Sequence, residues 1–238
     1  MIEPQNRNVG SAATLEGTIY VLVFYVGTPS SPITEREACF WGSELLEAER
    51  WLTGQAVLYG KKVAFVNASY GMDGSLVIDN IPASHETPNA FFFPEKVYQK
   101  QNFPNGWALS EYIRNTSGCQ QWMTLILCNT KGRCFACPVS DKLFSYDNHK
   151  FFLESCVVFR YEPVDYQMKT TSASIAHEML HLFGASDLYS LSDADRYVEA
   201  MSRRLYPKSI MLGHTEGLQN NEVDEITAWL VGWRGQVL

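Results

Sequence analysis

The chain has 238 residues, of which 46% are hydrophobic and 13% aromatic, values that exclude a disordered protein and suffice for one sizeable domain. Its formal net charge of −7 disfavours nucleic acids and anionic membrane surfaces as partners. The most apolar stretch, residues 18–27, has the length of a strand and is too short to cross a bilayer.

The first residues bear on cellular location. Residues 1–6 lack the basic start and apolar core of a signal peptide, so we expect a cytoplasmic protein, or a secreted one if a leader has been removed. The six cysteines fit either compartment, and in a reducing one most are expected to be small buried apolar residues. Residues 1–17 are predicted to be a loose N-terminal lead-in to one domain that spans 18–238.

The predicted elements of the first part alternate between strand and helix. Thr18 to Val26 is predicted to be a buried strand, because its residues are mostly β-branched or aromatic. Thr34 and Glu37 have the spacing of a capping box, which predicts a helix that ends near Gly60. The helix carries an apolar stripe at helical spacing, formed by Trp41, Leu45, Ala48 and Leu52. Lys62 to Ala68 is predicted to be the second strand.

The middle of the chain is predicted to be less regular. Residues 71–105 are rich in Gly, Pro and Asn, which indicates a long irregular segment with one short strand near 76–78. A short helix is predicted over 107–113. Three further strands are predicted at residues 122–128, 133–139 and 155–161. We expect the first two to pair across a turn at 129–132.

The last part of the chain is predicted to be helical. Three helices are expected at residues 170–183, 193–205 and 221–233. The order of elements predicts an α/β (α+β) domain, with a mixed, mostly parallel sheet against which helices pack. We expect residues 18–184 to form an N-terminal subdomain and residues 185–238 a smaller, helical C-terminal subdomain.

A metal-binding pattern lies in the predicted helix 170–183. His177 and His181 are four residues apart, so both imidazoles lie on one helix face and can bind one metal ion. Glu178 lies beside the first ligand and can accept a proton from a metal-activated water molecule. Gly184 can adopt a positive φ and end the helix, and Asp187 then stands where a third ligand is needed. Three protein ligands that leave a fourth position open are typical of catalytic zinc sites.

An accidental occurrence of the pattern on a surface helix is the alternative. It is disfavoured because the chain has only five histidines, and two of them fall at metal-binding spacing with Glu178 between them.

The pattern HExxHxxGxxD resembles that of the metzincin clan of zinc peptidases, in which the third ligand is usually His and in some members Asp. The clan also has a tight turn that contains Met beneath the metal, and Ser209 to Met211 resembles this Met-turn. The resemblance implies one zinc ion bound by the three ligands and peptide-bond hydrolysis with Glu178 as the general base. Gly213 occupies a position at which several members have Tyr, so no Tyr is available there to stabilise the transition state.

The resemblance also implies how a peptide or protein substrate is held. In the clan, an extended peptide lies along an edge strand of the sheet above the metal-binding helix. The predicted edge is residues 133–139, where the backbone N–H of Phe135 or Ala136, whichever faces the cleft, contacts the substrate. The segment after the Met-turn, with Leu212 and His214, is expected to wall a side-chain pocket.

Two minor signals have competing interpretations. Cys134 and Cys137 form a CxxC pair, which can indicate a redox site or a second zinc site. Ordinary buried thiols are the favoured interpretation, because the pair lies in a strand-like run without a second pair at zinc spacing. Tyr189 and Tyr206 flank the metal motif, and either could donate to an oxyanion, although packing roles are more usual.

A binding protein is the alternative to a peptidase. A zinc-stabilised peptide- or protein-binding module on a peptidase fold would have the same ligands but little or no turnover. Glu178 weighs against it, because a site that only holds a metal has no need of a carboxylate at that position. The sequence leaves the oligomeric state open.

Overall fold

Runs of β-branched and aromatic residues form the strands of one sheet. The computed structural model describes residues 10–138, 154–161, 171–189, 196–213 and 217–235. The strands are β1 (Gly17–Val26), β2 (Val63–Tyr70), β3 (Gln121–Lys131), β4 (Phe135–Cys137) and β5 (Ser155–Tyr161). Their spatial order is β2-β1-β3-β5-β4. All neighbouring pairs are parallel except β4 with β5, so the predicted mostly parallel sheet is confirmed.

Helices pack against this sheet, as expected for an α/β fold. The described ranges contain α1 (Glu35–Leu58), α2 (Phe93–Lys100), α3 (Gly106–Ser117), α4 (Ser172–Leu182), α5 (Arg196–Leu205) and α6 (Glu225–Leu230). Among them, none combines the length and apolar character needed to cross a membrane. The predicted capping box begins α1: the Glu37 N–H donates to Thr34 Oγ1 at 3.3 Å, and the Thr34 N–H donates to Glu37 Oε2 at 2.9 Å. The predicted apolar stripe of α1 is buried.

The expected pairing of residues 133–139 with 122–128 is wrong. β3 runs on to Lys131 and pairs with β1 on one side and β5 on the other, so neither of its edges is available to β4. Asn129 lies within β3 and not in a turn. Its side chain is nearly buried and donates to the carbonyl of Pro32 at 2.9 Å. β4 instead pairs antiparallel with β5 and lies at the edge of the sheet.

The segment 71–105 is more regular than predicted. It contains α2, which begins at Phe93 with Pro94 in its first turn, and a preceding 3₁₀ turn at Ala90–Phe92. Pro in a first helical turn is a start signal, because its missing N–H would have no intrahelical partner there. The predicted short strand at 76–78 is reduced to one bridge between Val77 and Gly27.

Two predicted helices near the C-terminus differ in extent. α5 begins at Arg196, and residues 193–195 lie outside the described residues. The expected helix 221–233 is shorter in the structure and comprises only α6 (Glu225–Leu230). It begins late because Asp224 is its N-cap and Glu222, just before, forms a bridge with Ser209. After Leu230 the chain turns, and Gly232 has a φ of 85°.

The predicted loose lead-in is wrong for residues 10–16. Ala12 and Leu15 are fully buried. The Ala12 N–H and the Ser11 hydroxyl both donate to the carboxylate of Glu154, at 2.8 and 2.9 Å. The Leu15 N–H donates to the carbonyl of Val231 at 3.0 Å. This segment is therefore part of the folded domain.

Candidate metal centre

The helix α4 carries the first two predicted ligands and ends in a turn that presents the third. The N–H of Gly184 donates to the carbonyl of His181 at 3.0 Å, and the N–H of Ala185 donates to that of Leu180 at 3.1 Å. These two bonds, with a φ of 102° at Gly184, form a Schellman motif. A side chain at this φ would be strained, so glycine is required. The turn redirects the chain towards Asp187.

The three predicted ligand atoms converge on one point. The Nε2 atoms of His177 and His181 are 3.0 Å apart, and each lies 3.2 Å from Oδ1 of Asp187. The two rings are nearly perpendicular, at 87°. These residues form the one group with metal-binding geometry among the described residues.

Backbone carbonyls decide which nitrogen of each imidazole faces this point. Nδ1 of His177 lies 3.0 Å from the carbonyl oxygen of Ile210, and Nδ1 of His181 lies 2.9 Å from that of Ala185. Since a carbonyl oxygen can only accept, both Nδ1 atoms carry the proton. Both Nε2 atoms then direct a lone pair at the common point, as zinc ligands require.

These atoms fit a zinc ion. Zinc binds imidazole nitrogen and carboxylate oxygen tetrahedrally at about 2.0–2.2 Å, which places the ligand atoms roughly 3.3–3.6 Å apart. The separations of 3.0 to 3.2 Å differ from that by a few tenths of an ångström. Two lone pairs and a carboxylate oxygen this close repel one another unless a metal ion or a proton lies between them. The arrangement therefore suits a cation with three protein ligands.

The charges at the site also favour a cation. Burial would raise the pKa of the Asp187 carboxyl, but the two imidazoles hold this pKa well below its usual range. Burial would lower the pKa of His181, yet its hydrogen bond to Asp187 and the charges of Asp187 and Glu178 raise it to about 9. The same carboxylates that favour a proton on His181 also favour a metal ion at the common point.

A second set of side chains surrounds Asp187. Tyr189 and Arg133 lie close to Asp187, and both interact electrostatically with its carboxylate. Burial, followed by the charge of Asp187, raises the pKa of Tyr189 above its usual range, so the hydroxyl keeps its proton. Asp187 thus has a neutral hydroxyl and a cationic guanidinium as neighbours.

The predicted Met-turn lies directly beneath the metal-binding helix. Residues Ile210–Leu212 form a 3₁₀ turn in which Met211 is fully buried. The carbonyl of Ile210 accepts from His177, and the carbonyl of Met211 accepts from the N–H of Leu188 at 2.8 Å. The turn at 210–212 therefore contacts both α4, which carries His177 and His181, and the segment that follows Asp187.

Glu178, the predicted general base, lies on α4 next to His177. Its side chain is nearly buried, and its charge contributes to the raised pKa of His181, which places the carboxylate near the ligand set. The thiol of Cys156 on β5 donates to the backbone carbonyl of Glu178 at 3.2 Å. This contact links the position of the residue to the adjacent strand.

The remaining predicted site residues are distributed around this centre. Leu212 and Phe135 are buried, Ala136 is half-buried on the edge strand β4, and the ring of Phe135 packs near that of Phe159. His214 lies outside the described residues. Cys134 and Cys137 are buried free thiols, in agreement with the favoured interpretation of the CxxC pair.

Arg133 and the two backbone carbonyls are functional groups that the sequence did not indicate. Arg133 precedes β4 by two positions, and only the pairing of β4 with β5 brings it towards Asp187. The carbonyls of Ala185 and Ile210 have no side-chain signature. The one sequence signal for a side chain close to Asp187 is Tyr189, two residues further on, and its position alone indicates packing or oxyanion donation.

No protein-family model matches the chain, and no curated protein sequence is significantly similar to it. The function of the chain is therefore inferred from the chemistry of the site.

Proposed function

We propose that this chain is a zinc-dependent endopeptidase that hydrolyses peptide bonds in peptide or protein substrates. The observation that carries the proposal is the convergence of His177, His181 and Asp187 within 3.0 to 3.2 Å, with Glu178 beside them. Both imidazoles hydrogen-bond to backbone carbonyls, so their Nε2 atoms face the common point before any metal binds.

The roles of the residues follow from their chemistry. His177, His181 and Asp187 would hold the zinc ion, which would supply a Lewis acid to polarise the scissile carbonyl and to lower the pKa of the attacking water. Glu178 accepts a proton from that water on its carboxylate and passes it to the nitrogen of the leaving amine. The burial of Glu178 strengthens this exchange, because nearby bulk water would weaken its electrostatic interactions.

We further propose that the fold is of the metzincin type. Support comes from the buried turn at Met211, which hydrogen-bonds to the metal-binding segment, and from the antiparallel edge strand β4 on an otherwise parallel sheet. The described C-terminal residues 196–213 and 217–235 are largely helical or in short turns, in keeping with a smaller C-terminal subdomain.

The edge strand supports a proposal for substrate binding. β4 pairs with β5 on one side and lies at the end of the strand order, so an extended peptide can add to its other side through backbone hydrogen bonds. α4 packs against β4 and β5, which places the metal ligands close to such a peptide. Phe135 or Ala136 would contribute the outward-facing backbone groups, and the segment that follows the Met-turn, beginning at Leu212, would wall a side-chain pocket.

The test compares the wild type with Glu178→Ala on a complex peptide library, with new termini mapped by mass spectrometry. We expect cleavages that require zinc and disappear in the variant, at unchanged zinc content. If the wild type binds zinc but produces no Glu178-dependent cleavage, the peptidase proposal fails and the zinc-stabilised binding module is favoured instead.

A further inference from the structure

A buried carboxylate lies behind the Met-turn, on the side away from the ligands. Asp224 is 3% exposed and precedes α6. Its Oδ1 accepts the N–H groups of Ile226 and Thr227 at 2.8 and 3.0 Å, as an N-cap does. Its Oδ2 accepts two hydroxyls, from Ser209 at 2.6 Å and Thr227 at 2.5 Å. Capping α6 accounts for three of these four bonds and leaves the bond to Ser209 unexplained.

Ser209 connects this carboxylate to the Met-turn. Its hydroxyl donates to Asp224 and at the same time accepts the N–H of Met211 at 3.1 Å. The backbone is fixed at the same place, because the Ile210 N–H donates to the carbonyl of Glu222 at 3.0 Å. A charged acceptor makes the Ser209 hydroxyl bond stronger than a bond between neutral groups. The turn at 209–212 is therefore held in one conformation from below.

The other side of the turn faces a proposed metal ligand. The carbonyl of Ile210 accepts the Nδ1 proton of His177 at 3.0 Å. The orientation of that carbonyl depends on the conformation of the turn, which Ser209 and Asp224 hold. A continuous chain of contacts thus leads from the N-cap of the last helix to the first imidazole.

We infer that Asp224 is a positioning residue that acts through Ser209 to hold the Ile210 carbonyl against His177 and so to fix the tautomer and direction of that ligand. The inference rests on the proposed metal site for its effect on zinc affinity, but its effect on the His177 ring can be measured without metal. Contacts beyond the ligands commonly change metal affinity by about 10–100-fold.

Thr227 provides a matched control. Its hydroxyl, like that of Ser209, is buried and donates to Oδ2 of Asp224. Ser209→Ala and Thr227→Val each remove one such hydroxyl. Only the first removes a contact to the Met-turn, so a purely structural role for Asp224 predicts equal behaviour of the two variants.

The first measurement is zinc affinity by competition with a chelator, alongside thermal unfolding. We expect both variants to lower Tm to a similar extent, and Ser209→Ala alone to weaken zinc binding, by about tenfold. Asp224→Asn is the second variant, because its side-chain oxygen can still cap α6 while the amide group cannot accept from Ser209. It should match Ser209→Ala, and the double variant should lose no further affinity. Equal zinc affinity in Ser209→Ala and Thr227→Val would overturn the inference.

The second measurement uses the metal-free protein. Ring ¹⁵N chemical shifts should show His177 with its proton on Nδ1 in the wild type and in Thr227→Val, and a mixture of tautomers in Ser209→Ala. An unchanged tautomer in Ser209→Ala would overturn the inference even if zinc binds. A wild type that binds no zinc would instead defeat the proposed function, and the ring shifts would still decide the role of Asp224.

Discussion

Asp187 has surroundings that differ from those of His177 and His181. The histidines hydrogen-bond to neutral carbonyls, whereas the carboxylate lies near the guanidinium of Arg133 and the hydroxyl of Tyr189. As a zinc ligand, the carboxylate would bring a negative charge that makes zinc a weaker Lewis acid than a third histidine would. The positive charge of Arg133 would partly offset this effect.

Replacing Asp187 tests the ligand set at this scale. Asp187→Ala should weaken zinc affinity at least about a hundredfold, because even contacts outside the ligand set are worth 10–100-fold. Asp187→His should retain zinc, because imidazole is an equally good zinc ligand. Chelator competition on the two variants measures both effects. Wild-type affinity in Asp187→Ala would mean that another residue supplies the third ligand.

The sequence predicts the convergence of the proposed ligands well and their supports poorly. The proximity of His177, His181 and Asp187 could be predicted because a helix and a glycine turn determine their relative positions through local geometry alone. The carbonyl of Ile210 and the side chain of Arg133 come from distant parts of the chain. Their positions depend on tertiary packing, which no local spacing expresses.

Among the elements, α1 contacts α4 and contains a buried carboxyl group. The carboxylate of Glu44 on α1 accepts the N–H of Ser172, the first residue of α4, at 2.5 Å. One turn further along α1, Glu49 is 5% exposed and accepts from the amide of Asn67 on β2 at 3.0 Å. Burial raises the pKa of Glu49 from its ordinary 4.5 to about 7, although the Asn67 amide lowers it in part.

Glu49 should make folding stability depend on pH. Its pKa is higher in the folded state than in the unfolded state, so its contribution is fully present below about pH 4.5 and is lost as pH rises through about 7. Between pH 5 and 8 we expect the free energy of unfolding to fall by about 2–3 kcal/mol more in the wild type than in Glu49→Gln. Urea unfolding at both pH values measures this difference.

Glu47→Gln is the control, because Glu47 lies on the exposed face of the same helix. It should keep the wild-type pH dependence. Identical pH dependence in the wild type and Glu49→Gln would show that Glu49 is ionised at low cost in the folded protein.

The elements also show where sequence patterns are insufficient. α1 and β1 were predicted closely because a capping box and a β-branched run are local signals. The pairing of β4 was predicted wrongly, because adjacency in sequence favours a hairpin and the sequence does not show that β5 occupies the second edge of β3. The requirement for glycine at position 132 comes from tertiary packing, because a Cβ there would overlap the ring of Phe159.

Across the whole molecule, the two ends of the described chain close on each other and on the site. The indole N–H of Trp233 donates to the carbonyl of Leu15 at 2.5 Å, and the Leu15 N–H donates to Val231. The same C-terminal segment includes Asp224, which holds the Met-turn. Unfolding of either end would therefore disturb the ligand His177, so metal binding and global stability should be coupled.

The most direct test of the central claim is the zinc content of the purified wild type and of His181→Ala after equilibration with zinc and removal of the excess. The account predicts about one zinc ion per wild-type chain, as three convergent ligands require, and little or none in the variant. A wild type without zinc, or full zinc occupancy in His181→Ala, would contradict it.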